Sequence, residues 1–213
     1  MYGVVETKTG DIVSAEKHLL EARVIAERRH YGREIALADE YLGDLMAVRG
    51  DFEGALENYS TALARAKKMA LEGDIVAEVL RREAEVLLAQ RKSQEVISIG
   101  TRALDVAEKC GEVYEIGYIK RAIGLAHAQL GNDAETDRFI ASSIKTFREA
   151  NNLHEANRSS CLFSESLLGK GESRQHLRAR KLVSGALACF EQTEEYRDMA
   201  EAHFLLARIE REL

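Results

Sequence analysis

Residues 36–68, ALADEYLGDLMAVRGDFEGALENYSTALARAKK, decide the fold. Ala36–Val48 reads as a helix carrying Leu42, Gly43 and Met46 on one side. Gly50-Asp51 then breaks it: glycine takes a left-handed cap and aspartate starts the next helix. In that second helix Phe52, Ala55, Leu56, Tyr59, Ala62 and Leu63 fall at offsets 0, 3, 4, 7, 10 and 11. This is a single apolar stripe at helical period. The expected unit is two antiparallel helices joined by a tight glycine turn, with Gly43 and Ala55 letting them approach and Phe52 and Tyr59 filling the space between units.

Outward from this unit, the pattern recurs. Gly10, Gly50, Gly131 and Gly171 stand on a ladder of evenly spaced rungs once Arg91 is counted at the missing position. Gly3, Gly43, Ala84 and Gly124 form a second ladder a little ahead of it, with the same spacing. Self-similarity at a period of about forty residues marks stacked repeats, each burying its apolar face against the next. The copy around Ala84 has Leu87, Val96 and Ala103 in place, with Gly100 where an aromatic is expected. The copy after it has Ile123, Leu130, Asn132, Ile140 and Ser143. In the fifth, the stripe Leu182, Val183, Ala186, Cys189 and Phe190 falls later than the glycine ladder would place it. The offset is about six residues, most of two helical turns, and predicts a longer or kinked second helix there. A terminal helix spans about Arg197–Glu210.

These residues resemble the tetratricopeptide repeat, extended here from its usual length of about 34 residues. The resemblance is strongest in the second unit and weakest in the third and fifth. It implies an all-α fold, a right-handed superhelical solenoid of antiparallel helix pairs. Approximate units are 1–31, 32–72, 73–111, 112–151 and 152–194, with a terminal helix at 195–213. Together these make a single repeat domain. Repeats of this length are similar to those of bacterial signal-transduction and transcriptional regulators. Met1 falls inside a repeat, and Tyr2, Val4 and Val5 lack the polarity of a capping helix, so the expectation is a segment of a longer protein.

Composition narrows the function. The chain has 213 residues, 31% charged, with no proline or tryptophan, as suits a helical protein. A net charge of −6 argues against general nucleic-acid binding, which needs a basic surface. The sequence has no apolar run of membrane-spanning length and no signal-peptide pattern at its start, so a cytoplasmic setting is expected. Cys110, Cys161 and Cys189, odd in number and far apart, read as free thiols.

No catalytic, cofactor or metal motif emerges. His154-Glu155 opens like a zinc-protease signature, but Arg158 stands where its second histidine belongs. There is no glycine-rich phosphate loop. A basic run, Arg174, His176, Arg178, Arg180 and Lys181, lacks the aromatics that would stack on bases and reads as a solvated helix face. The expected function is non-catalytic binding of a protein or peptide.

The resemblance implies that the first helices of successive units line the binding groove. It places Glu40 and Asp44 there from the second unit, and Arg81, Arg82 and Glu85 from the third. Tyr118, Arg121 and Gln129 follow from the fourth, and Arg158 and Glu165 from the fifth. Arg81, Arg121 and Arg158 recur at similar slots, which predicts a line of guanidinium groups suited to acidic side chains or a terminal carboxylate. Two other expectations stand beside this one: a small-molecule or peptide sensor within a regulator, and self-association through the first repeat.

Overall fold

The structure, a computed structural model, describes residues 3, 4, 7, 10–169 and 171–213. Ten helices follow one another among them: α1 (Ile12–Arg29), α2 (Gly32–Val48), α3 (Phe52–Met69), α4 (Asp74–Ala89), α5 (Ser93–Cys110), α6 (Val113–Gln129), α7 (Asp133–Glu149), α8 (Leu153–Leu168), α9 (Ser173–Thr193) and α10 (Tyr196–Glu212). The described residues contain no strand. The fold is all-α, built as a helical-repeat solenoid from the paired helices the sequence predicts. Two compact units divide it, Met1–Glu115 and Ile116–Leu213.

The turn chemistry follows the sequence. Gly10, Gly50, Gly131 and Gly171 all have positive φ, and Asp11 and Asp51 cap the helices that follow by accepting from the Ser14 and Gly54 amides. Arg91, on the rung without glycine, adopts the same left-handed conformation at φ 58°. Its amide donates to the Leu88 carbonyl, as Gly50 does to Ala47 and Gly131 to Ala128. The turn is therefore dictated by the packed helices on either side, and arginine carries its steric cost.

Within the first unit, α2 packs on α1, α3 and α4. Its small residue sits where helix and helix come closest: a Cβ added to Gly43 would lie 2.4 Å from the Tyr59 ring of α3. Tyr59 thus packs inside its own hairpin rather than between units. Ala15, Leu19, Leu42 and Leu45 close the start of the unit, with Val4 packed against them. Tyr2 and Val5, expected to form an uncapped start, lie outside the described residues. Asp39 is buried in this interior and is held by two guanidiniums, Arg23 of α1 at 2.9 Å and Arg65 of α3 at 2.8 Å. Burial raises its carboxyl above the ordinary range.

In the second unit, α8, α9 and α10 share a core of Phe163, Leu167, Ala179, Val183, Ala186, Phe190, Ala202, Leu205 and Ile209. Helix α9 runs 21 residues, longer than its counterparts and in keeping with the expected insertion. Ser164 stands on the next rung of the small-residue ladder after Gly124. It is fully buried, and its hydroxyl donates to the Ser160 and Ala179 carbonyls.

Asp39→Asn should lower stability by about 1–3 kcal/mol in urea unfolding, because Arg65 loses its counterion and Arg23 keeps only the exposed Glu27. Arg91→Gly should act in the opposite direction, by up to about 1 kcal/mol, since it removes the left-handed cost. An unchanged midpoint in either variant contradicts these assignments.

Candidate functional site

Glu40, Asp44, Ala47 and Val48 are spaced at i, i+4, i+7 and i+8 along α2, so they occupy a single helix face. On α4, Glu78, Arg82, Glu85 and Ala89 form the matching stripe. Since α2 packs against α4 as well as α3, the first helices of successive repeats meet directly. Between them lies a cleft of about 380 Å³, lined by Thr7, Asp44, Ala47, Val48, Phe52, Tyr59, Arg82, Glu85, Val86 and Ala89. Its apolar part is formed by Ala47, Val48, Phe52, Val86 and Ala89, and Val48 is 58% exposed at the surface.

The polar wall is an ion-pair network. Arg82 bridges two helices: its Nε donates to Glu40 and its Nη1 to Asp44, both on α2. Its guanidinium also lies 5.6 Å from the centre of the Tyr41 ring. Asp44 accepts in addition from the Tyr59 hydroxyl at 2.8 Å. Arg81 reaches the other way, donating to Glu115 of α6 and to Glu85, both at 2.7 Å. Burial dominates the protonation of this cluster. It pushes Glu40 up to about 7 against the pull of Arg82, and it raises Asp44 and Glu78 as well. The Tyr59 phenol is held far above its ordinary value by burial and by Asp44.

The second unit repeats the pairing. Arg121 of α6 donates to Glu155 of α8 at 2.6 Å, and its guanidinium lies over the rings of Tyr118 and Phe147. Arg158 of α8 meets Asp198 of α10 at 3.3 Å, and Arg208 of α10 donates to Glu165 at 2.6 Å. These last four residues line a cleft of about 240 Å³ with Cys161, Leu162, Phe190, Glu201, Phe204 and Leu205. Burial pushes the Cys161 thiol up to about 11. All three cysteines are free and half-buried.

The expected groove residues are therefore brought together within each unit, with one correction to their chemistry. The guanidiniums do not form a line open to a partner's carboxylates: Arg81, Arg121 and Arg158 are each engaged by a carboxylate from the next first helix. Glu40 is fully buried beneath Arg82, whereas Asp44 and Glu85 keep part of their surface at the cleft. Tyr118 is half-buried against Phe147, and Gln129 is exposed at the end of α6. Sequence reasoning did not anticipate Glu115, Glu155 and Asp198. The signal was available for two of them, since Arg81–Glu115 and Arg121–Glu155 share one sequence separation, 34 in both cases. His154 finds a carboxylate on α10 rather than four residues along, its Nε2 lying 3.0 Å from Asp198. Glu195 completes a three-residue ligand set with them, but Arg158 occupies the other oxygen of Asp198.

Solved structures share this arrangement of hairpins. BtubC (BKLC) from P. vanneervenii superposes with a TM-score of 0.64 at 17% identity, over 94% of this chain and 89% of that one. A putative kinesin light chain of Podosopora anserina with nearly identical TPR-like repeats gives 0.65 at 14% identity, over 91% and 93%. A Rap protein complexed with Competence and Sporulation Factor gives 0.63 at 17% identity, over 99% and 73%. The fold is tetratricopeptide-like. No family model and no curated relative matches the sequence. The first helices of these tetratricopeptide-like hairpins carry every expected groove residue, and among the described residues no helix is long and apolar enough to cross a membrane.

The raised Glu40 carboxyl predicts a pH response. Its folded value, about 7, lies above the ordinary 4.5, so the folded chain holds the proton more tightly than the unfolded chain. The stability this contributes is fully present below about pH 4.5 and is lost as pH rises through 7. Urea midpoints should therefore fall between pH 5 and 8, by on the order of 1–3 kcal/mol in stability, and Glu40→Gln should flatten the slope. A slope indifferent to Glu40→Gln refutes this assignment.

Proposed function

We propose that this chain is a non-catalytic binding module that holds a segment of a protein or peptide against its first-helix face, with the cleft of the first unit as the principal seat. The observation that carries this reading is the make-up of that cleft. Its apolar residues come from α2, α3 and α4, and its polar wall is already oriented by Arg82, Asp44 and Tyr59. An apolar floor with a few fixed polar groups suits a side chain or short backbone stretch. The same wall is ill-suited to chemistry: its guanidinium is engaged by carboxylates, and its phenol is held too high to exchange a proton near neutral pH.

The Rap structure, solved with Competence and Sporulation Factor, is a chain of similar fold in complex with another molecule, and it supports a binding role here. We place the module in a cytoplasmic regulatory protein, as the extended repeat length suggests. In that setting the ligand biases the packing of successive repeats, because a bound segment touches α2 and α4 at once.

A display library of random 12-residue peptides selected on the full chain tests this reading. Selection should enrich a shared motif, and Val48→Gln with Ala89→Gln should weaken the selected peptides about tenfold, because these apolar cleft residues become polar while their exposure spares the fold. Failure to enrich, or enriched peptides indifferent to the double substitution, would falsify it.

A further inference from the structure

Val13, Lys17, Leu20, Val24 and Glu27 follow one another along α1 at spacings of 4, 3, 4 and 3 residues. This is the seam of a two-stranded coiled coil, a narrow stripe along one side of the helix. The stripe is open to solvent: Val13 is 79% exposed, and Leu20 and Val24 are each 44% exposed. Lys17 and Glu27 are exposed as well. None of the five lines the cleft of the first unit.

The neighbouring repeats show that this side of a second helix is not a hairpin contact. Counted from the capping residues Asp11, Asp51 and Lys92, the first four positions recur as Glu53, Glu57, Ser60 and Ala64 on α3. On α5 they are Gln94, Ser98, Thr101 and Asp105. All eight are exposed, although α3 packs against both α2 and α4. A hairpin stacked ahead of α1 would therefore leave the stripe in water, as the helices around α3 leave its counterpart. Of the three helices, α1 alone carries large apolar side chains there, and a solvated face gains nothing from them.

The charges say what covers the stripe. When two copies of α1 lie antiparallel with Leu20 of each against Val24 of the other, Lys17 of each meets Glu27 of the other. Two apolar layers then lie between two ion pairs. Parallel pairing in register instead opposes Lys17 to Lys17 and Glu27 to Glu27. The stripe is thus complementary to itself about a two-fold axis, as an isologous contact requires, and its charges select one orientation. Both charged groups are available for it. Lys17 makes no ion pair among the described residues, and Glu27 is met by Arg23 of its own helix at 3.4 Å.

We infer that the chain forms a two-fold dimer through antiparallel contact of its α1 helices, Leu20 packing on Val24 and Lys17 pairing with Glu27 of the second copy. The inference is independent of the peptide seat. It leaves the first-unit cleft of each copy open, so the dimer presents two seats and gains avidity for a partner with two binding segments. The seam is short, and the dimer should dissociate at about 10–100 µM.

Sedimentation equilibrium of the full chain from 1 to about 500 µM tests it. The weight-average mass should climb from 23.8 kDa towards about twice that value. Leu20→Glu should raise the dissociation constant at least about tenfold while leaving the Tm of the dilute chain unchanged, since the side chain is exposed. Lys17→Glu should weaken the dimer by placing carboxylates against Glu27, and Lys17→Glu with Glu27→Lys should restore it. Lys17→Glu with Glu191→Lys, which restores the net charge at an exposed site on α9, should not.

A mass of 23.8 kDa across the whole range overturns the inference. So does a dimer indifferent to Leu20→Glu and Lys17→Glu, which would use another face. Equal rescue by Glu27→Lys and Glu191→Lys overturns it too, because net charge alone would then govern association. Should Leu20→Glu unfold the chain, the charge exchange decides by itself, as Lys17 and Glu27 lie at the surface.

Discussion

Everything in this fold depends on how closely the two helices of a hairpin approach at the small-residue ladder. At Gly43 there is no room for even a methyl group beside Tyr59, and at Gly117 and Gly124 an added Cβ would lie 2.6 and 2.8 Å from Phe147 and Ile140. Close approach lets the second helix bury a large residue against the backbone of the first. The first helix then has its other side left over. On α2 that side holds Glu40, Asp44, Ala47 and Val48, and it meets the equivalent side of α4. The cleft is thus a consequence of the hairpin geometry, furnished by whatever side chains the next stripe carries.

The hairpins were legible because their signals are local and repeated. A glycine turn, an aspartate cap and an apolar stripe each act over a short stretch of chain, and recurrence at a fixed period multiplied the signal. Arg91 shows the strength of that pattern, since the turn forms with the wrong residue in it. The electrostatics of the site were not legible in the same way. Which carboxylate an arginine meets depends on how successive first helices stack, and that is a tertiary fact. The i,i+4 spacing lets Arg81 pair with Glu85 on its own helix, and it does, but the second partner, Glu115, comes from α6. Burial depth was hidden for the same reason. Glu40 sits on the groove-facing stripe as the sequence implies, yet Arg82 closes over it completely.

The buried polar groups of the first unit fall into two kinds. Asp39 is met on both sides by Arg23 and Arg65, so its charge is balanced within the structure and it serves as a clamp between α1, α2 and α3. Glu40 and Glu78 are not balanced in this way: Glu40 shares its one cation, Arg82, with Asp44, and Glu78 has no ion pair among the described residues. Burying charge costs stability unless the geometry compensates it. One set of helices contains both kinds, and the difference lies in where they face. Asp39 faces the interior between helices, and Glu78 lies on the stripe that runs into the cleft.

The two units show that a repeat fold leaves the chemistry of its inner face free to vary. In the second unit Arg121 has Glu155 as its ion-pair partner and is covered by the rings of Tyr118 and Phe147, an arrangement balanced in charge. In the first unit the slot equivalent to Arg121 is Arg81, and its surroundings hold carboxylates where the second unit holds rings. Backbone and hairpin are shared, and the charge balance is not. Chains that superpose on this one at 14–17% identity share the hairpins too, and nothing in that likeness transfers the side chains of the cleft. Recognition in such folds is therefore decided by the stripe left over after the hairpins have packed, and each unit's partner has to be argued from its own residues.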